Sequence, residues 1–136
     1  MVYGSQTWAL KVSETQQLVR TERMMVRWMC GVSLRDRKAL QELLDRLGIV
    51  GVKEHVSRCR LRWFGHVECK CDDDWVSMCR RLLVEGQRGR ETWMECVVED
   101  MERLKLRKED AQDRRVWQNG ILGIRASTET RTFNCR

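Results

Sequence analysis

Basic side chains recur at His55, Arg58, Arg62 and His66. Steps of three and four residues line such groups up along one side of an α-helix. Lys53 and Arg60 lie close by in the same stretch. Guanidinium, ammonium and imidazole groups set in a row can contact the phosphates of a nucleic-acid duplex or an RNA–DNA hybrid. A second basic group, Arg88 and Arg90 around Gly89, falls in a glycine-containing stretch that reads as a flexible loop. A charged helix face is also what any solvated helix shows to water, and a basic loop can be a polar connector. The residues alone leave both readings open.

Other constellations offer less. His66, Cys69, Cys71 and Cys79 are of metal-ligating type. Only one residue separates Cys69 from Cys71, whereas structural zinc pairs are usually spaced by two to four. No second Cys-x-x-Cys or His-x-x-x-His pair completes a set, so neither a metal nor another cofactor is expected. Cys30, Cys59, Cys79 and Cys96 fall on apolar stripes and read as small buried hydrophobes. Neither histidine sits in a recognisable Cys or Ser nucleophile pattern, and no catalytic residue is expected. Trp28, Trp63, Trp75, Trp93 and Trp117 could stack on bases, but each falls on or beside an apolar stripe and is assigned to packing.

The elements that would position these groups are helical. Around the basic residues, Val52, Val56, Cys59, Trp63 and Val67 recur near the helical period, so Trp63 is expected to anchor this helix to a core. Gly65 is a place for it to stop or bend. Upstream, Ser13 and Gln16 have capping-box spacing and Gly31 suits a C-terminal cap. Leu18, Met25 and Met29, widened by Val26 and Trp28, form the stripe between them. Ser33 and Asp36 mark the next start, Leu40, Leu43, Leu44 and Leu47 its buried side, and Gly48 its end.

Downstream, Asp72, Asp73 and Asp74 read as a cap for a helix carrying Trp75, Met78, Cys79, Leu82 and Leu83, with Gly86 ending it. Thr92 and Glu95 repeat the capping box ahead of Trp93, Val97, Met101 and Leu104. A last helix over 108–118 would bury Ala111 and Trp117. The expected fold is all-α, an irregular bundle of five or six helices over residues 1–120. Residues 121–136 lack periodicity and read as a loose, disordered tail.

Length and composition fit one soluble domain, or a piece of one. No apolar run approaches a membrane span, and residues 1–10 lack the pattern of a signal peptide. An intracellular setting, nuclear or cytoplasmic, is expected, with the seven cysteines reduced. A net charge of +6 favours an acidic partner. The excess is thin, however: 8 basic against 5 acidic residues in 1–51, 9 against 7 in 52–91, and 9 against 8 in 92–136. Only a local basic face could mark a site. Absence of proline suits helices.

Arg60-Leu61-Arg62-Trp63-Phe64-Gly65-His66-Val67 resembles a stretch near the C-terminal end of the reverse-transcriptase polyproteins of non-LTR (LINE-type) retrotransposons. The flanks agree in order and spacing, among them Tyr3-Gly4-Ser5-Gln6-Thr7-Trp8-Ala9-Leu10, Arg27-Trp28-Met29-Cys30-Gly31-Val32 and Leu34-Arg35-Asp36-Arg37. Asp73-Asp74-Trp75, Gly89-Arg90, Thr92-Trp93-Met94-Glu95-Cys96-Val97 and Ala111-Gln112-Asp113-Arg114 continue the likeness. It runs from Tyr3 to Trp117. What it implies is a post-palm, thumb-like region that holds RNA or DNA beside a polymerase palm missing from this chain. It also implies no polymerase activity alone: Tyr3 is the only tyrosine, and no aspartate pair follows it as the polymerase hairpin requires. The resembled proteins carry a Gly-Arg-Pro-Lys-Lys run where this chain has Gly89-Arg90-Glu91, which implies a weaker phosphate contact at that loop. A reading from another class is a helical protein-interaction module, or a pseudogene-derived remnant with no retained activity.

Overall fold

The computed structural model describes residues 3–70, 74–81 and 92–124. Among these residues the fold is all-α. It has six α-helices: α1 Val12–Cys30, α2 Leu40–Leu47, α3 Val52–Glu68, α4 Trp75–Arg81, α5 Trp93–Leu104 and α6 Arg114–Leu122. Short 3-10 turns occur at Ser5–Thr7, Leu34–Asp36 and Lys108–Gln112.

Local chemistry explains most of the boundaries. Glu14, not the Ser13 and Gln16 pair, caps α1, its carboxylate accepting the Lys11 N–H at 2.9 Å. Gly31, at φ 64°, ends the helix. Ser33 and Asp36 do bond to each other, at 2.7 Å from the Ser33 N–H, but they close a separate 3-10 turn instead of starting α2. Arg37 takes a left-handed conformation after that turn, and α2 starts only at Leu40. Thr92 and Glu95 form the expected reciprocal box at the head of α5. The expected last helix is instead two elements. Asp113 accepts the Arg115 and Val116 N–H groups, so it caps a new helix where the 3-10 turn ends. That helix runs through Leu122 and buries Ile121, so ordered packing passes the expected boundary at residue 120. The expected tail beyond Ile124 lies outside the described residues, as do Asp72, Asp73, Leu82, Leu83 and Gly86.

Two cores form among the described residues. The smaller one packs Val26 of α1 against Leu43 and Leu44 of α2. The larger one joins Leu61 and Phe64 of α3 to Val97, Ala111, Trp117 and Ile121. Phe64 lies between two indoles, with ring centroids 5.8 Å from Trp117 and 6.4 Å from Trp93. The Trp93 Nε1–H donates to the Gln6 carbonyl at 2.7 Å, which ties the first 3-10 turn to α5. Glu22 of α1 accepts the Val52 N–H at 2.6 Å and so caps α3 from a neighbouring helix.

Several expected core residues are outside both cores. Trp28 is 85 % exposed, and Met25 and Met29 are exposed beside it, because α1 packs on α2 through Val26 and Cys30 instead. Trp75, Met78 and Cys79 on the short α4 are exposed as well. Cys30, Cys59 and Cys96 are only half-buried. Gly65 does not stop α3, which runs on to Glu68. It is buried inside the helix, against Trp117.

Candidate nucleic-acid interface

Helix α3 packs through a side rotated from the expected stripe: Val56 and Val67 are buried as expected, whereas Cys59 and Trp63 stay partly exposed. Successive helical residues turn ~100° about the axis. Val56, Ser57, Arg60, Leu61, Phe64, Gly65 and Val67 are the buried set, which places the packed side more than a quarter turn from the line through Val52, Cys59 and Trp63. Leu61 and Phe64 decide this orientation, since they bury more apolar surface than valine or cysteine can. Cys59 and Trp63 are left at the border of the packed side, and Trp63 is 37 % exposed.

The rotation sorts the basic residues. His55, Arg62 and His66 are exposed and Arg58 is half-buried, all on the side of α3 away from the large core. Arg62 forms no ion pair among the described residues. Arg58 is tied to Glu54, one turn back, with Nε 3.0 Å from the carboxylate. Its charge is therefore largely used within the fold. Lys53 is exposed on another side of the helix, in the wall of a cleft of about 610 Å³ between α1, α3 and α5. Arg88 and Arg90 lie outside the described residues.

Arg60 is not a surface contact. It is 8 % exposed, and its Nη1 meets Asp100 of α5 at 3.0 Å. Arg103 completes the arrangement by reaching Glu54 at 3.0 Å, Asp100 at 3.5 Å and the Ser57 hydroxyl. Three guanidinium groups thus share two carboxylates between α3 and α5. A buried arginine needs such a partner, since an unpaired charge inside a protein is costly. Asp100 was the signal available in the sequence: it lies one turn from Val97, on the side of α5 that packs against α3.

Local groups shape the exposed row. His66 and Trp63 are ring neighbours, with centroids 5.5 Å apart and planes tilted by 36°. Cys59 Sγ lies 3.6 Å from His55 Nε2. Just beyond the helix, Asp74 accepts the Val76 N–H at 3.0 Å, and this bond holds its carboxyl below the ordinary aspartate value. Lys70, 3.4 Å from the same carboxylate, and His66 act in the same direction. Asp36 is likewise lowered, chiefly by its bond from the Ser33 hydroxyl.

The chain matches no protein-family model, no curated protein and no solved structure. The reading of this face therefore rests on its own geometry. Among the described residues no cluster of three or more His, Cys, Asp or Glu side chains is placed to hold a metal ion. His66 and Cys69 are both exposed, and the Cys69 thiol donates to the Ala111 carbonyl at 3.2 Å. Nor is any described helix long and apolar enough to cross a membrane. What the exposed side of α3 can do is present the Arg62 guanidinium, unpaired among the described residues, and two imidazoles, with an indole at their edge.

Proposed function

We propose that this chain is a non-catalytic, nucleic-acid-binding helical unit. Its origin is the post-palm region of a LINE-type reverse transcriptase, and RNA, DNA or their hybrid is its partner. The observation that carries the binding reading is the sorting of the arginines on α3. Arg60 is withdrawn into the fold and Arg58 is held by Glu54, while Arg62, between two exposed histidines, has no ion-pair partner among the described residues. A phosphate backbone needs donors that are not already committed to carboxylates. The family origin is supported by the ordered blocks from Tyr3 to Trp117 and is associational. A nuclear or cytoplasmic location goes with that origin.

Arg62→Ala tests the binding reading. Losing one phosphate contact should make the slope of log affinity against log salt shallower by about 0.7 to 0.9. Arg58→Ala should change it less, because Glu54 already holds that side chain. An unchanged slope in a folded Arg62→Ala protein would leave α3 with an ordinary solvated face.

A second reading has its own observation. Met24, Met25, Trp28 and Met29 are all exposed along the C-terminal half of α1. A run of large apolar groups in water marks an interaction surface, and methionine adapts to varied partners. A protein-interaction module would use this face and leave the basic side of α3 idle.

A further inference from the structure

We infer that Trp63 and His66 form a stacking shelf for an unpaired base, so that the nucleic acid this helix takes is single-stranded. The inference rests on the reading of the α3 face as a phosphate contact and adds which class of nucleic acid that face selects.

Three observations place the shelf. Trp63 is outside the large core, whose indoles are Trp93 and Trp117, and is 37 % exposed at the border of the packed side. Its ring lies beside the exposed His66 imidazole, with centroids 5.5 Å apart and planes tilted by 36°. The neighbouring residue in the chain is Arg62, exposed and without an ion-pair partner among the described residues. A free guanidinium next to an open aromatic surface supplies the two elements of single-strand recognition: a cation that follows the backbone and a ring on which a base lies flat.

A base can use that ring only if it is free of its complement. Inside a duplex, both faces of each base are already stacked on their neighbours, and only base edges are offered in the grooves. An indole lying along a helix flank has no edge-reading donors beyond its own N–H. Against a duplex the face would reduce to its charges, with Trp63 contributing little. Against a single strand, Arg62 holds a phosphate while the adjoining base covers the indole, with the imidazole beside it. Because any base has such a face, the shelf predicts weak sequence preference.

The experiment compares a homopyrimidine single strand, as RNA and as DNA, with a blunt duplex carrying the same number of phosphates. Each binds the full chain while salt is varied. The single strands should bind more tightly. Trp63→Ala should weaken single-strand binding by on the order of 5- to 150-fold. Its duplex affinity and salt slope should stay unchanged, since no phosphate contact is lost. Trp63→Phe should recover part of the loss, because a smaller ring still stacks. Arg62→Ala should instead shallow the slope for every probe. A folded Trp63→Ala protein with undiminished single-strand affinity would overturn the shelf, and so would a preference for duplex. If Arg62→Ala still shallows the slope in that case, the phosphate contact survives without the shelf. If none of the probes binds, both fall together.

Discussion

Gly65 and Trp117 stand in mutual contact at the centre of the large core, and the contact works only because Gly65 has no side chain. A Cβ placed there would run into Nε1 and Cδ1 of the indole. The indole has no room to withdraw, since it is 4 % exposed and its Nε1–H donates to the Leu61 carbonyl at 2.9 Å.

Gly65→Ala should therefore destabilise the protein. In an open helix the change would gain ~1 kcal/mol from helix propensity. Here overpacking costs ~1–3 kcal/mol and also threatens the Trp117 hydrogen bond. The two effects together leave a net loss of up to about 2 kcal/mol. Urea unfolding followed by tryptophan fluorescence measures it, and a stabilised variant would show that the indole can move aside.

Trp117 and Trp63 should separate in the same assay. Trp117→Ala removes a buried ring and its hydrogen bond and should cost ~3–5 kcal/mol. Trp63 lies outside the core, so Trp63→Ala should cost about 1 kcal/mol, the typical value for a single change. If Trp63→Ala unfolded the chain, Trp63 would be the anchor that its place on the apparent sequence stripe suggests.

Much of this architecture was legible in the sequence, for reasons that differ by residue. The Thr92–Glu95 box, the glycine caps at Gly31 and Gly48 and the Leu40 to Leu47 spacing are local signals, and local chemistry satisfies them. The packed side of α3 was harder to read, because Asp100 is visible in the sequence but no local spacing links it to Arg60, forty residues away. With that carboxylate in place Arg60 can turn inward, and Leu61 and Phe64 decide the rotation. Trp28 misled in the opposite direction. Its spacing suits a stripe, but the short α2 packs with Val26, Cys30 and Val32 and leaves Trp28 outside that cluster. The candidate site was half readable. Arg62 and His66 are where the period puts them, and the pairing of Arg58 with Glu54 one turn back is a spacing the period also shows, whereas Arg60 is claimed by a carboxylate on another helix.

Acid should loosen two local structures before it reaches the cores. Asp36 and Asp74 both have carboxyls held below the ordinary aspartate value, by Ser33 and by the Val76 N–H respectively. A lowered folded-state value means the ionised form favours the folded state. The contribution is complete above the unfolded value of ~3.9 and is lost as pH falls through the lowered values. The Ser33 and Val76 amide resonances should therefore shift at pH below ~3.9, while the Trp117 indole resonance holds. Titration of those amides at or above the ordinary value would show that the bonds do not favour the charged form.

Stability should also separate the buried Arg60, which holds the fold, from the exposed Arg62. Arg60→Ala strands Asp100 among packed side chains. Breaking a buried pair on one side costs ~3–5 kcal/mol. The low end, about 3 kcal/mol, is expected because Arg103 still approaches Asp100 at 3.5 Å. Removing both partners at once, as in Arg60→Met with Asp100→Leu, should recover most of that loss, since an apolar pair of similar volume leaves no uncompensated charge. Arg62→Ala should stay within about 0.5 kcal/mol of the parent, being exposed and away from caps and cores. Urea midpoints for the three variants decide the matter. If Arg60→Ala proved as mild as Arg62→Ala, Arg60 would be free to swing outward, and the basic face of α3 would regain the residue that Asp100 now holds.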